Sequence, residues 1–222
     1  MPLNIAIDGP VGAGKSSIAS AVAKALGILH LDTGAMYRAI GLTAIRKGID
    51  LQDEAAVTAV CGEADLSVRY GENGQITLVD GEDVTGLLRT EEVSMAASTV
   101  SRYAGVRKAM VAIQQKLARE TDMLLDGRDI GTVVLPKATA KIYLTATAEE
   151  RARRRFLEYQ QKGLPDTYEQ VLEDLKRRDD QDMNREVDPL RCADDAVNLD
   201  TTHMSFDEVV ETILNIVKEA RA

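Results

Sequence analysis

Residues Gly9-Pro10-Val11-Gly12-Ala13-Gly14-Lys15-Ser16 fit the pattern G-x-x-x-x-G-K-[ST], whose chemistry is the holding of a phosphate chain. The glycines let backbone N–H groups turn inward and approach phosphate closely. The start of a following helix adds unpaired donors and a positive dipole end. In such a loop the Lys15 ammonium reaches the β- and γ-phosphates and the Ser16 hydroxyl faces Mg²⁺. The context agrees with this reading. An apolar run over residues 3–7 precedes the loop, and a helical pattern over 17–26 follows it.

Acidic residues stand where further apolar runs end. Asp8 opens the loop, Asp32-Thr33-Gly34 follows a second run, and Asp126-Gly127-Arg128-Asp129 ends a third. An Asp at a strand end beside a phosphate loop commonly helps hold Mg²⁺, directly or through water. Asp126 is the better-placed candidate and Asp8 the alternative. For both, a strand-terminating turn is the competing reading. Arg151, Arg154 and Arg155 lie at i, i+3 and i+4 and share a helical face. A solvated face paired with Glu149, Glu150 and Glu158 would explain them. Beside a phosphate loop they also read as a lid that closes over phosphates, stabilising equatorial charge and excluding water.

These residues need a scaffold, and the chain's patterning describes one. Five segments read as short buried strands: 3–8, 28–31, 122–126, 140–145 and 196–200. Helical patterns occupy 15–26, 33–47, 91–119, 149–162, 168–182 and 206–220. Ser205 and Glu208 form a capping-box start for the last. The alternation predicts a mostly parallel sheet with helices on both faces, which binds ligands at the carboxyl ends of its strands. Residues 66–85 break the rhythm. They alternate apolar and polar around Glu72-Asn73-Gly74, so a small antiparallel hairpin is expected at the sheet's C-terminal edge. The charge-dense stretch 149–190 carries Arg151, Arg153, Arg154, Arg155, Lys176, Arg177, Arg178 and Arg185, with Gly163-Leu164-Pro165 between two helices.

The chain's 222 residues suffice for one α/β domain with insertions and a full core. With 27 Lys and Arg against 36 Asp and Glu, the net charge is −9, which argues against a general nucleic-acid binder. It leaves room for a small anionic ligand, because a local arginine cluster can focus potential on an acidic body. Cys61, Cys192, His30 and His203 have no metal-ligand spacing, and no disulfide framework or catalytic histidine is expected. No run has signal-peptide or membrane-spanning character, so a cytoplasmic placement is the expectation. The chain has no Asn-Lys-x-Asp for guanine, which sets it apart from GTPases.

Several blocks together carry a family resemblance. They are Ile5-Ala6-Ile7-Asp8-Gly9-Pro10 with Gly14-Lys15-Ser16, then Leu31-Asp32-Thr33-Gly34-Ala35-Met36-Tyr37-Arg38. Thr90-Glu91-Glu92-Val93 with Ala96-Ala97-Ser98 follows. Next come Asp126-Gly127-Arg128-Asp129-Ile130-Gly131-Thr132-Val133-Val134, and last Arg178-Asp179-Asp180 with Asp182, Asn184 and Arg185. In order and spacing, nearly end to end, the chain resembles the bacterial cytidylate kinases. The resemblance implies a P-loop kinase fold with a five-stranded parallel central sheet flanked by helices, a small antiparallel β insert and a helical lid. It implies one domain over 1–222. The core would span about 1–32, 86–148 and 191–222, the monophosphate-binding region with its insert about 33–100, and the lid about 149–190.

The implied reaction is ATP-dependent phosphorylation of CMP and dCMP, in pyrimidine nucleotide metabolism, with Mg²⁺. The implied ATP site is Gly9, Pro10, Val11, Gly12, Ala13, Gly14, Lys15, Ser16 and Ser17 with Arg151 and Arg154. Ser16 and Asp126 would attend the metal. Arg38, Arg128 and Arg185 resemble the arginines that hold the acceptor's phosphate and, with Lys15, serve catalysis. Ser98, Arg107 and Asp129 resemble base readers, while Thr33 and Tyr37 resemble residues lining the acceptor pocket. Arg178 and Asp182, four apart on a helix, resemble a pair contacting sugar hydroxyls. Gln181 stands where some relatives have Arg. A monomer is expected, with no membrane or nucleic-acid partner. Two other readings stay open: a kinase for another small acceptor such as shikimate, and an ATP-binding switch without catalysis. Arg38, Arg128 and Arg185 weigh against the switch, which needs no second phosphate site.

Overall fold

Side-chain alternation divides the central strands between two cores. In the computed structural model, which describes residues 2–72 and 74–221, Ile5, Ile7, Leu124 and Ile142 bury on one face of the sheet. Ala6, Leu31, Met123 and Leu125 bury on the other. Successive strand residues point to opposite faces, so both sides must be covered by helices.

The chain runs β1 (Asn4–Asp8), α1 (Lys15–Leu26), β2 (Leu29–Asp32), α2 (Thr33–Arg46), α3 (Glu54–Glu63), β3 (Leu66–Gly71), β4 (Gly74–Val79) and β5 (Glu82–Asp83). It continues through α4 (Glu91–Val100), α5 (Ala104–Glu120), β6 (Met123–Gly127), β7 (Ala140–Thr145), α6 (Ala148–Gln161), α7 (Tyr168–Asn184), β8 (Val197–Asp200) and α8 (Phe206–Ala220). The central sheet has the order β2-β6-β1-β7-β8 and is parallel throughout. Helices α1 and α8 cover the Ile5/Ile7 face, with Ile18, Val22, Val209 and Ile213 buried there. Helices α2 and α5 cover the other with Met36, Ile40 and Met110. Register places Asp32 beside Asp126 and Asp8 beside Gly127, so the acidic strand ends gather at one edge.

The expected insert is a separate three-stranded antiparallel sheet, β3-β4-β5. Asn73, at the centre of its predicted turn, lies outside the described residues. The insert docks on the end of β2. Asp32 N–H donates to Gln75 Oε1 at 2.7 Å, and Gln75 Nε2 returns a bond to the Asp32 carbonyl at 3.3 Å.

Three elements differ from expectation. The long helix predicted over 91–119 is two helices, α4 and α5. The chain turns between them because Tyr103 Oη is tied to the Leu51 carbonyl at 2.6 Å. Gly105 meanwhile lies so close to Thr58 that a Cβ would sit 2.3 Å from its methyl carbon. Helix α3 and strand β5 were not anticipated. Asp53 caps α3 by accepting from Ala56 N–H at 3.0 Å, and Val57, Val60 and Cys61 form its buried face. That cap and that spacing are signals the sequence carries.

In the region 149–190, α6 and α7 pack as a pair around Ala152, Val171 and Leu175. Val11 of the phosphate loop completes that small core. The base of the expected lid is therefore anchored on the loop itself.

Candidate active site

The glycine-rich turn leaves β1 under steric constraint. Gly9 has φ 148°, and a Cβ there would lie 1.9 Å from the Leu144 carbonyl oxygen of β7. Only glycine lets the loop pass that strand. Lys15 opens α1 with its ammonium folded inward, donating to the Gly9 and Pro10 carbonyls at 2.7 Å each. It is 6% exposed. Burial, reinforced by the nearby Arg128 charge, lowers its pKa to about 7.

Beside it, Ser16 Oγ donates to Asp126 Oδ2 at 2.8 Å, and His30 Nε2 lies 2.7 Å from Asp126 Oδ1. Burial alone would raise the Asp126 carboxyl. The His30 contact, the Lys15 charge and the Ser16 hydroxyl hold it below the usual carboxylate range. The contact with His30 was not foreseen, since strand order, invisible in the sequence, makes β2 and β6 neighbours. Asp8 has a different task. Its two oxygens accept from Ile130 N–H at 2.8 Å and Gly131 N–H at 2.7 Å, and burial raises its pKa to about 6. Asp8 thus fixes the wide turn at Ile130–Val134 that follows Asp129.

Loop, strand ends and helices α2, α4, α6 and α7 border a cavity of about 380 Å³. Val11, Gly12, Gly14, Lys15, Ser16 and Ser17 line one part, and Thr33, Tyr37, Arg38, Ser98, Arg107 and Asp129 another. Arg128, Arg154, Arg155, Arg178, Asp182 and Arg185 line it as well, as does the unanticipated Arg89. Gly9, Pro10 and Ala13 belong to the loop but not to the lining.

Beyond those three, Arg151 is the predicted residue the structure does not bring to this cavity. It is 5% exposed, and its guanidinium donates to the Ala146 carbonyl (2.9 Å), the Val11 carbonyl (2.8 Å) and Asp179 Oδ2 (2.7 Å). It braces α6 and α7 onto the phosphate loop. Arg154, one turn along, lines the cavity while tied to Glu150 (2.9 Å) and the Thr201 carbonyl (2.7 Å).

On the side of the cavity bordered by α2, Asp32 caps that helix through Ala35 N–H at 3.0 Å and pairs with Arg38 at 2.8 Å. Arg38 Nε is buried without a partner, a donor with unused capacity. Thr33 Oγ1 donates to the Asp126 carbonyl at 2.7 Å, and Ser98 Oγ bridges to Gln181 Oε1 of α7 at 3.4 Å. Arg107, 2% exposed, pairs with Asp129 through Nη2 and stacks 5.7 Å from the Tyr37 ring centroid. Arg128 pairs with Asp182 at 2.6 Å. Arg185 reaches Asp129 at 3.4 Å. Burial lowers the pKa of both Arg178 and Arg185, and neighbouring guanidinium charges add to it: Arg155 and Arg128 around Arg178, Arg107 beside Arg185. Crowded, desolvated cations of this kind are relieved by an incoming anion. The cavity therefore combines a phosphate loop with a second arginine cluster, an arrangement suited to aligning two anionic groups.

Comparison with known proteins agrees. A family model described as Cytidylate kinase matches residues 5–219. The cytidylate kinase of Caldicellulosiruptor bescii is 49% identical over 214 residues, covering 96% of this chain and 95% of that protein. Those of Shouchella clausii and Enterococcus faecalis are 50% and 48% identical, covering 97% and 98% of this chain and 96% of each relative. Among solved structures, an uncharacterized protein from Eubacterium ventriosum superposes with a TM-score of 0.53 at 10% identity, covering 99% of both chains. A gluconokinase from Sinorhizobium meliloti gives 0.50 at 14% identity, covering 98% of this chain and 93% of its own. At such identities these two structures speak to the fold alone. The family match over nearly the whole length, with relatives about half identical, is decisive: the chain belongs to the cytidylate kinase family and is a transferase of the kinase type.

Proposed function

We propose that this chain transfers the γ-phosphoryl group of ATP to CMP and dCMP, giving ADP and CDP or dCDP. The observation that carries the reading is the Arg107–Asp129 pair set beside Arg38, Arg128 and Arg185, in the cavity that the phosphate loop opens into. Neutral cytosine offers a ring nitrogen and O2 as acceptors and an exocyclic amine as donor. An Arg donor with an Asp acceptor matches that pattern. Uracil has O4 in place of the amine, which would leave Asp129 facing an acceptor at an energetic cost.

The acceptor's phosphate oxygen is already an anionic nucleophile, so no general base is required. Catalysis rests on alignment and charge stabilisation. Arg38, Arg128 and Arg185 hold the acceptor phosphate, and Lys15 turns from the Gly9 and Pro10 carbonyls to the donor's phosphates. Arg178 and Asp182 meet the sugar hydroxyls, and Arg154 with Arg155 closes over the transferring group. Ser16 and Asp126 suit Mg²⁺. Their paired oxygens offer one hydroxyl and one carboxylate beside the loop, and Mg²⁺ is commonly held by one or two carboxylates plus substrate phosphates. Among the described residues no group of three or more His, Cys, Asp or Glu could hold a metal, and substrate phosphates would supply its remaining ligands. Mg²⁺ when bound would neutralise charge on those phosphates. Asp8, spent on two backbone amides, is the weaker candidate for this role.

The chain acts as a cytoplasmic monomer in this reading. No helix among the described residues is long and apolar enough to cross a membrane, and the large exposed apolar side chains, such as Leu87, Leu164 and Phe206, are spread along the chain.

The test is ADP release from Mg·ATP with CMP, dCMP, UMP, AMP, GMP and shikimate offered separately. Fast turnover on CMP and dCMP with UMP weak is expected. Turnover only on another acceptor would overturn the roles of Ser98, Arg107 and Asp129. Silence on all six, from protein that still binds ATP, would point to a nucleotide-binding switch.

A further inference from the structure

Asp188 lies past the end of α7, on the stretch that returns the chain to the sheet. Its backbone is left-handed, with φ 48°, a conformation Asp tolerates better than most side chains. Two different groups of this residue hold two arginines of the acceptor site. Its carboxylate Oδ2 accepts from Arg107 Nε at 2.8 Å, and its backbone carbonyl accepts from Arg185 Nε at 2.7 Å. The same two arginines converge on Asp129 from the other side, Arg107 through Nη2 and Arg185 at 3.4 Å. Two cations and two carboxylates thus form a closed, neutral ring.

Asp188 enters that ring from behind. Arg107 stands between the main cavity, which Asp129 and Arg185 also line, and a second cavity of about 370 Å³ that Asp188 lines with Val111, Val133 and Val187. Arg107 spends one proton of each nitrogen on protein: Nε on Asp188, Nη1 on the Ser101 carbonyl at 3.3 Å, and Nη2 on Asp129. A guanidinium has five donors, so the two that remain are on its terminal nitrogens. Without Asp188, a nearly fully buried Arg107 and its neighbour Arg185 would share Asp129 as their one carboxylate. Two cations would then compete for the lone pairs that a base amine needs.

We propose that Asp188 is a specificity-determining positioning residue, which holds and neutralises Arg107 from behind so that Asp129 keeps accepting capacity for the acceptor base. Asp188 does not line the substrate cavity and acts through Arg107. The inference rests on the reading of Arg107 and Asp129 as the base-reading pair.

The experiment compares kcat and KM for CMP and for UMP, at saturating Mg·ATP, in the wild type and in variants at this position. Asp188→Gly accepts the left-handed backbone, keeps the carbonyl for Arg185 and deletes only the carboxylate. Its kcat/KM ratio of CMP to UMP is expected to fall about tenfold, through a raised KM for CMP with kcat little changed. Asp188→Asn keeps an acceptor for Nε and tolerates the same backbone but lacks the charge, so it should restore only part of the ratio. Asp188→Ala strains the backbone and displaces the carbonyl, so it should add a KM increase shared by CMP and UMP, through Arg185. Should Asp188→Gly not fold, Asp188→Ser, whose short hydroxyl does not reach Arg107, takes its place with the same expected ratio. An unchanged CMP-to-UMP ratio in the carboxylate-free variant, or Asp188→Asn no better than that variant, overturns the proposal. A wild type without preference for CMP overturns the base-reading assignment and this inference with it. A wild-type preference that the variants retain overturns this inference alone.

Discussion

Ser16 Oγ donates to Asp126 Oδ2 at 2.8 Å although 110 positions separate the two residues in the chain. One sits on the first turn of α1 and the other near the carboxyl end of β6, and the parallel pairing of β1 with β6 brings those ends together. The hydroxyl and the carboxylate face the same space beside the phosphate loop.

If that space receives Mg²⁺, Asp126→Asn should raise the Mg²⁺ concentration for half-maximal turnover by about tenfold or more. ATP binding measured in EDTA should not weaken, because the lost charge repels phosphate. The check is a Mg²⁺ titration of turnover beside a calorimetric ATP titration without metal. An unchanged Mg²⁺ dependence would remove Asp126 from the metal's surroundings.

Lys15 gives a pH signature. Its folded-state pKa of about 7 lies below the ordinary 10.5, so the folded apo-protein releases this proton where an unfolded chain retains it. Lys15 therefore costs the apo fold stability below pH 7, and that cost fades as pH rises from 7 toward 10.5. Phosphate favours the charged amine, so ATP binding above pH 7 must take up a proton. ATP affinity should weaken by about fivefold from pH 7 to pH 8, with up to about one proton absorbed per ATP. Calorimetry in two buffers of different ionisation enthalpy counts that proton. Lys15→Met should abolish the uptake and lower turnover by several orders of magnitude. A flat affinity profile with no uptake in the wild type would separate Lys15 from the phosphates.

Arg151 and Asp179 form a buried pair, 2.7 Å apart, that ties α6 and α7 to the loop. Asp179 Oδ1 already lacks a partner. Arg151→Ala would strand the carboxylate and should destabilise the fold by about 3 kcal/mol or more. Arg151→Met with Asp179→Leu should recover much of that loss, since two apolar groups leave no buried charge. Chemical denaturation measures both. An Arg151→Ala protein of normal stability with a raised KM for ATP would return Arg151 to the donor phosphates.

Asp129→Ala should lower kcat/KM on CMP by more than on UMP. The expected difference is about tenfold, the scale of one charge-assisted hydrogen bond. Equal losses on both acceptors would show that Asp129 supports Arg107 and Arg185 without reading the base.

The central strands were legible because each is a short apolar run with an acidic or glycine-containing boundary; β1, β6 and β7 are buried as expected, whereas β8, expected as a buried strand, is the exposed edge of the sheet, with Val197 44% exposed. The break between α4 and α5 was not. The apolar periodicity of Val93, Ala96 and Val100 is taken up again by Val106 and Met110, and no proline intervenes. What turns the chain is Tyr103 on Leu51 and the close seat of Gly105 on Thr58, contacts across about fifty residues of sequence. The arginines of α6 show the same divide. Their spacing placed Arg151 and Arg154 on one face, but one turn of helix separates a brace on the Val11 carbonyl from a cavity-lining side chain.

The sequence by itself determined the phosphate loop, the alternation of strands and helices, and the blocks that mark the family, because these rest on local spacing and residue type. Only the tertiary structure decided which charges meet: His30 with Asp126, Arg151 with Asp179, Asp188 with Arg107. The physical reason is that an ion pair depends on strand order, register and helix packing. Those are set by burial over the whole chain, whereas the spacing of residues along it carries information over only a few turns.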